Sequence, residues 1–477
     1  MGIKFEFKNL GVLQQAAIEL APFTLVCGGN NCGKTYLAYA IYGLFRSWDA
    51  PQNLLNLRPC LDTLLKDGHC SIDMKSFFSI ERLEQFEQQI TGSYVKEQLG
   101  KSLAVPASRL QDTEMSISLK DREKDFFERS FANEIRKGKN SIIEVKKPAN
   151  SYSVSIERTG EFSISDEREQ IALLDVMNNS VTSLVKGILF PNTFMASCER
   201  TGAVIFRNEL NLNKSRLLEA VGEVLAKGKQ SINEFDILTT LFKGDYSLRY
   251  PTPVKDNVDF INQIPDIEKD SSYLAKEHPE IIAELDELVG GTFGIRDGNI
   301  VFMDGQKTSR RRASLNLQEV SSSVRSLVVL TYYLKCIAQK NDLLMIDEPE
   351  LNLHPSNQRK MARLLARLVN AGLNVFVTTH SDVIAKEINT LLLMKKAGGD
   401  FAKKQGYQES ELLESQNVEL YISERIATAK KRNIMHVLKK MDKFDDGGLN
   451  FKLFDKTIQE MNDVQDSVWA HLMEKGE

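Results

Sequence analysis

The 477-residue sequence contains six cysteines and no C-x-x-C pair; Cys27, Cys32, Cys60, Cys70, Cys198 and Cys336 are scattered. That spacing excludes a zinc ribbon and predicts no disulfide framework. No stretch of about 18 uncharged apolar residues occurs, so no membrane span is expected. The opening MGIKFEFKNLG alternates charged and aromatic residues instead of building an apolar signal core, and it lacks the Ser or Thr that N-myristoylation needs. Charge of one sign is also missing: 61 Lys+Arg against 65 Asp+Glu leaves a net charge of -4. So even a balance decides nothing about nucleic acid, for which a local basic patch suffices. There is no internal repeat, no low-complexity tract and no sustained heptad run. The six histidines (His69, His278, His354, His380, His436, His471) form neither H-E-x-x-H nor an HNH-like set. These absences lead us to expect a soluble, cytoplasmic protein with no nuclease site of its own.

At 42% hydrophobic and 26% charged, the composition is that of a folded globular chain, and the length suggests about three units of roughly 150 residues. Residues 3–8 (IKFEFK) alternate as a half-buried strand, and residues 14–27 read as a second strand pair closing on the apolar run 23–27. Residues 49–72, with Pro51 and Pro59, read as irregular, 73–101 as helical, 102–165 as short β runs among charged pieces, and 166–186 as a helix. ILFPNTFMA (188–196) reads as a buried strand, 209–291 as mostly helical, 299–305 as strand and turn, and 321–339 as a helix.

Between the apolar strand and the helical YLAYAIYGLF lies Gly28-x-x-x-x-Gly33-Lys34-Thr35, the P-loop pattern. Its glycines let the backbone approach phosphate closely. The amides of Asn30, Asn31, Cys32, Gly33, Lys34 and Thr35, with the helix N-terminus behind them, face negative charge. Lys34 then reaches the outer phosphates and the Thr35 hydroxyl ligates Mg²⁺. Further on, LLMIDE (343–348) is an apolar strand that delivers Asp347 and Glu348 to its C-terminal end. Asp347 is suited to holding the magnesium of a nucleotide, and Glu348 to accepting a proton from an attacking water. An amphipathic helix over 354–372 and a strand over 373–380 follow; the strand ends in His380, placed to contact a γ-phosphate.

The order DEPELNLHP (347–355) and then TTHS (378–381) resembles the ABC-type ATPase head of SMC and OLD-like proteins. The resemblance implies an α/β fold with a mixed sheet and an inserted helical and β subdomain, with ATP and Mg²⁺ as cofactors. It implies that Asp347 is the acidic metal ligand, Glu348 the catalytic glutamate, 351–354 the D-loop and His380 the switch histidine, with Lys34 acting in catalysis. It also requires a signature segment before the acidic strand. Val320–Leu327 stands there, with Ser321, Ser322 and Ser323 in the part where the family pattern has glycines. A plain Ser N-cap is the other reading of these serines. Glu199-Arg200 resembles the Glu-Arg element of OLD-like heads; a buried ion pair is the alternative.

In that family one head's P-loop and another's signature enclose each ATP, so the resemblance implies a head-to-head dimer or larger even oligomer. The divisions it suggests are 1–48 (N-terminal head with the P-loop), 49–186 (inserted subdomain), 187–395 (rest of the head) and 396–477 (a helical region for assembly or partner binding). OLD proteins continue into a Toprim nuclease; Asp442, Asp445 and Asp446 in KKMDKFDDGG read instead as a solvated loop. Basic runs at Lys307, Arg310, Arg311 and Arg312 and at Lys430, Lys431 and Arg432 are candidate DNA or RNA contacts or simply solvated faces. The size and the tail FDKTIQEMNDVQDSVW (454–469) resemble the ATPases of Septu and retron anti-phage defence systems, which implies a separate HNH nuclease subunit as partner. An SMC-like DNA-binding repair ATPase and a slow-turnover ATP-binding scaffold are the competing readings.

Overall fold

The computed structural model describes residues 2–47, 55–137, 140–160, 167–207, 250–305, 314–427, 434–443 and 464–465. β1 (Ile3–Leu10), β2 (Leu13–Leu20) and β3 (Phe23–Gly28) lead into the helix Lys34–Ser47. β4 (His69–Asp73), β5 (Glu114–Ser118), β6 (Phe131–Lys137), β7 (Asn140–Lys147) and β8 (Ser153–Arg158) follow. β9 (Thr193–Ala196), β10 (Gly291–Arg296), β11 (Asn299–Asp304) and β12 (Ser314–Asn316) come next. The last described strands are β13 (Leu343–Asp347), β14 (Asn374–Thr379), β15 (Val418–Ala427) and β16 (Ile434–Lys440).

Nine of the described strands form one mixed sheet in the order β5-β1-β2-β16-β15-β3-β14-β13-β9. β15, β3, β14, β13 and β9 run parallel, while β1 pairs antiparallel with β2 and β5. The parallel centre is covered on both faces, which is why its strands are near-continuous apolar runs. Every residue of β13 is buried. Leu344 and Ile346 join one core with residues of the helices Ser322–Tyr332, Pro355–Asn370 and Asp382–Ala397, while Leu343 and Met345 join the other with Leu37 and Ile41 of the helix Lys34–Ser47. Alternate residues thus feed opposite cores, and truncating any of them to alanine would cost about 2–5 kcal/mol. β4, β8, β7 and β6 form a separate antiparallel sheet, and β10–β12 a small third one.

The α/β class and mixed sheet are as expected, with local departures. Residues 58–67 form a helix, not an irregular segment; Pro59 sits in its first turn, where a missing N–H costs nothing. The strand expected over 188–196 starts only at Thr193, because Ile188 and Leu189 end the helix Glu167–Leu189 and Pro191 separates the two elements. The helix expected over 321–339 is α-helical only to Tyr332 and ends in a π turn, Tyr333–Ile337. Glu114–Ser118, within the segment read as an insertion, is an edge strand of the main sheet.

The C-terminal region expected to be helical, 396–477, begins with the helix Gly399–Lys404 and then adds β15 and β16 to the interior of the main sheet. The physical reason is pairing: Leu420 and Ile422 pack into one core of the sheet and Tyr421 into the other. Cys60 and Cys70 are joined in a disulfide across 5.6 Å between Cα atoms, a pairing their spacing did not predict. Lys307, Arg310–Arg312, Lys430–Arg432, Asp445, Asp446 and most of 454–469 lie outside the described residues. No described helix is long and apolar enough to cross a membrane.

Candidate nucleotide site

The C-terminal ends of β3, β14 and β13 meet at one place. Their parallel register aligns Thr378 with Asp347 on one side and with Val26 on the other, and Thr379 with Cys27. The loop after β3 needs its glycines. Gly28 has φ 148°, and a Cβ there would come within 2.8 Å of the Ser423 carbonyl oxygen. Gly33 has φ 84°, and a Cβ would strike the Leu13 side chain at 2.6 Å. Asn31, at φ 58°, takes the left-handed conformation that asparagine tolerates. Lys34 is buried, and its ammonium donates to the carbonyls of Gly28 and Gly29 at 2.8 Å each. The cation therefore lies across the loop at the helix N-terminus, where the free amides already favour an anion.

Thr35 Oγ1 stands 3.4 Å from Asp347 Oδ1, and the Thr378 hydroxyl donates to that same oxygen. Asp347 is 1% exposed, and its second oxygen, Oδ2, is buried without a hydrogen-bond partner among the described residues. Burial, the largest cause, pushes its carboxyl up to about 6, against the pull of the two hydroxyls. An orphaned buried carboxylate oxygen beside a threonine hydroxyl is a donor set that fits Mg²⁺. The residue pair the motifs singled out for the metal is thus brought together.

Glu348 follows with φ 53°, an uncommon conformation for a non-glycine residue and one that clusters at functional sites. Its N–H donates to the Thr378 carbonyl at 3.0 Å. Its carboxylate is partly exposed and lies 3.3 Å from His380 Nδ1. Asn30, Asn31, Cys32, Gly33, Lys34, Thr35, Glu348 and His380 line one cavity of about 910 Å³, together with Val12, Tyr36 and Arg109. The last three were not anticipated, since nothing local in the sequence marks them; the β1–β2 turn and the segment before β5 carry two of them to the loop.

Arg200 is 3% exposed and donates to four carbonyl oxygens: Ser197 and Ser326 at 2.9 Å, and Asp347 and Glu348 at 2.8 Å. It is no partner of an ion pair with Glu199; Glu199 instead accepts from the Tyr39 hydroxyl at 2.7 Å, on the helix after the loop. Burial draws the Arg200 guanidinium down and pushes the neighbouring Cys198 thiol and Tyr39 hydroxyl up.

Ser321, Ser322 and Ser323 open the helix Ser322–Tyr332 but line neither cavity at the loop. Ser321 Oγ accepts from the Val324 N–H at 3.4 Å and lies 2.8 Å from Ser323 Oγ, so within this chain Ser321 is an N-cap. From the C-terminal region, Ser423 and Arg425 of β15 line a second cavity of about 580 Å³ on the other side of the loop, with Gly28, Gly29 and His380. The Ser423 hydroxyl donates to the Cys32 carbonyl at 2.5 Å. The expectation of a helical tail hid this contribution.

A family model described as "AAA ATPase domain" matches residues 1–385. No curated protein is matched. Solved structures that resemble the chain include an Smc head domain with an extended coiled coil bound to the C-terminal domain of ScpA, from Pyrococcus furiosus, at 11% identity over 97% of this chain and 98% of that one, with a TM-score of 0.30. An SMC head domain from Thermotoga maritima is 11% identical over 93% of this chain and 100% of that one, with a TM-score of 0.31.

Proposed function

The chain belongs to the AAA ATPase domain family, and from that membership and the geometry at the ends of β3, β13 and β14 we propose that it hydrolyses ATP with Glu348 as general base. The observation that carries this is the meeting of Thr35 and Glu348 at one cavity, with the buried Asp347 carboxylate beside the Thr35 hydroxyl and Lys34 behind the phosphate loop. The loop amides and Lys34 bind the β- and γ-phosphates. Thr35 and Asp347 hold Mg²⁺, which neutralises phosphate charge when bound. Glu348 accepts a proton from water as the water oxygen attacks the γ-phosphorus and ADP departs; His380, beside Glu348, contacts the γ-phosphate.

Ser321–Ser323 close the site of a second copy, giving a head-to-head dimer or a larger even assembly. The exposure of Ser321 and Ser322 at a helix N-terminus supports this reading. The commitment of the Ser321 hydroxyl to capping also favours slow turnover, and so keeps the ATP-binding scaffold as the second reading. On the resemblance to Septu and retron ATPases, the chain is the ATP-dependent regulator of a separately encoded HNH nuclease in an anti-phage complex. The test is plasmid cleavage and ATP hydrolysis by the purified chain with Mg²⁺, beside Lys34→Ala. ATP turnover lost in Lys34→Ala with plasmid intact is expected; cleavage that survives re-purification sinks the partner-nuclease reading.

A further inference from the structure

Glu350 lies in the turn between β13 and the helix Pro355–Asn370, and the motif reading gave it no task. Its side chain is 5% exposed. One oxygen, Oε1, receives the Thr379 hydroxyl at 2.7 Å and the His380 backbone N–H at 2.9 Å, and lies 3.3 Å from His380 Nδ1. The other, Oε2, is buried with no hydrogen-bond partner among the described residues. Burying a carboxylate half-satisfied is unfavourable, so capping the turn is not by itself a reason to keep one here; a neutral amide would serve Thr379 and the backbone N–H as well.

The imidazole distinguishes the two roles. Its Nδ1 is 3.3 Å from Glu350 Oε1 and also 3.3 Å from Glu348 Oε1. An ionised carboxylate oxygen only accepts. Two of them 3.3 Å from one ring nitrogen favour a hydrogen on Nδ1, in the neutral ring as in the imidazolium, and leave Nε2 as the other face of the ring.

We propose that Glu350 is the positioning residue for His380. It fixes the backbone on which the ring stands, selects the Nδ1–H tautomer jointly with Glu348, and so assigns Nε2 to the phosphate side. This rests on the reading of Glu348 and His380 given above. Glu350 touches no reacting atom; it acts through the histidine.

The test compares wild type with Glu350→Gln and Glu350→Ala. Gln keeps the shape and an acceptor for Thr379 and the backbone, so it preserves the fold if Ala does not. The first measurement is the tautomer of His380 in ¹⁵N-histidine-labelled, nucleotide-free protein, with the signal assigned by His380→Gln among the six histidines. Wild type is expected to carry the hydrogen on Nδ1. Glu350→Gln is expected to show a tautomer mixture, because a neutral amide is the weaker acceptor. The second measurement is steady-state hydrolysis, in which kcat should fall about 10–100-fold with KM for ATP nearly unchanged. A wild-type ring with its hydrogen on Nε2, or a tautomer and kcat unmoved by Glu350→Gln, overturns the proposal. Absence of hydrolysis in wild type would instead sink the ATPase reading and leave the tautomer to decide the positioning role.

Discussion

The guanidinium of Arg200 donates to the carbonyl oxygen of Glu348 at 2.8 Å, and it does so where Glu348 holds a left-handed backbone with φ 53°. The same side chain bonds the Ser326 carbonyl on the helix that Ser321 caps. One buried cation thus fixes the backbone of Glu348, the proposed general base, and ties it to the segment expected to meet a second copy. Arg200→Lys leaves a single ammonium that cannot span four carbonyls. We predict a loss of about 3 kcal/mol in urea unfolding and a fall in turnover beyond what reduced folded fraction explains. Unchanged stability would mean that water replaces the guanidinium without cost.

Glu348→Gln keeps the shape of the side chain and removes the base. Turnover should drop by roughly 100-fold or more, while ATP stays bound and the dimer accumulates. Phosphate release and light scattering with ATP check both halves. If wild type and Glu348→Gln hold ATP and dimerise equally, the chain is a scaffold rather than a turning-over enzyme.

Asp347 has its folded carboxyl raised to about 6 from an ordinary 3.8, chiefly by burial. The folded state therefore binds the proton more tightly than the unfolded chain. The stabilisation is complete below about pH 4 and is lost as pH rises through about 6, a swing of roughly 3 kcal/mol from this group alone. Nucleotide-free wild type should lose more stability than Asp347→Asn between pH 4 and 6.5 in denaturant titrations. Mg²⁺ with ATP should narrow the difference, because the metal favours the ionised form. Parallel pH profiles for the two proteins would show that the carboxyl is not raised.

The phosphate loop and the acidic strand were legible because buried parallel strands are apolar runs and the candidate site residues follow at once in sequence. Asp347, Glu348 and His380 each stand at or just beyond a strand end for that reason. β15 was not legible: in VELYISERIA the polar Glu419, Ser423, Glu424 and Arg425 break the run, and the strand's partners, Phe23–Gly28, lie some 395 residues away. Glu350 was given no role, since its contact with Thr379 and His380 exists only once β14 lies beside β13. The helix Arg58–Asp67 was hidden by Pro59, taken as a breaker rather than as a first-turn residue. In each case the missing information is a partner distant in sequence or the position of a residue within its element.

β15 lies between β3 and β16, with Ser423 level with Gly28. Its hydroxyl is 2.5 Å from the Cys32 carbonyl, so the strand holds the phosphate loop from the side opposite β14. Ser423 is 4% exposed, and no water can stand in for the lost donor without space being made for it. Ser423→Ala should therefore cost about 1–2 kcal/mol in unfolding and weaken ATP binding by roughly tenfold, as the loop amides lose their fixed direction. Ser423→Thr keeps the hydroxyl and should bind ATP more tightly than Ser423→Ala. A fluorescent ATP analogue titrated into the three proteins separates the two contributions: equal affinities with lowered stability in Ser423→Ala would make the hydrogen bond a fold contact only, whereas weaker binding restored by Thr makes β15 a working wall of the site.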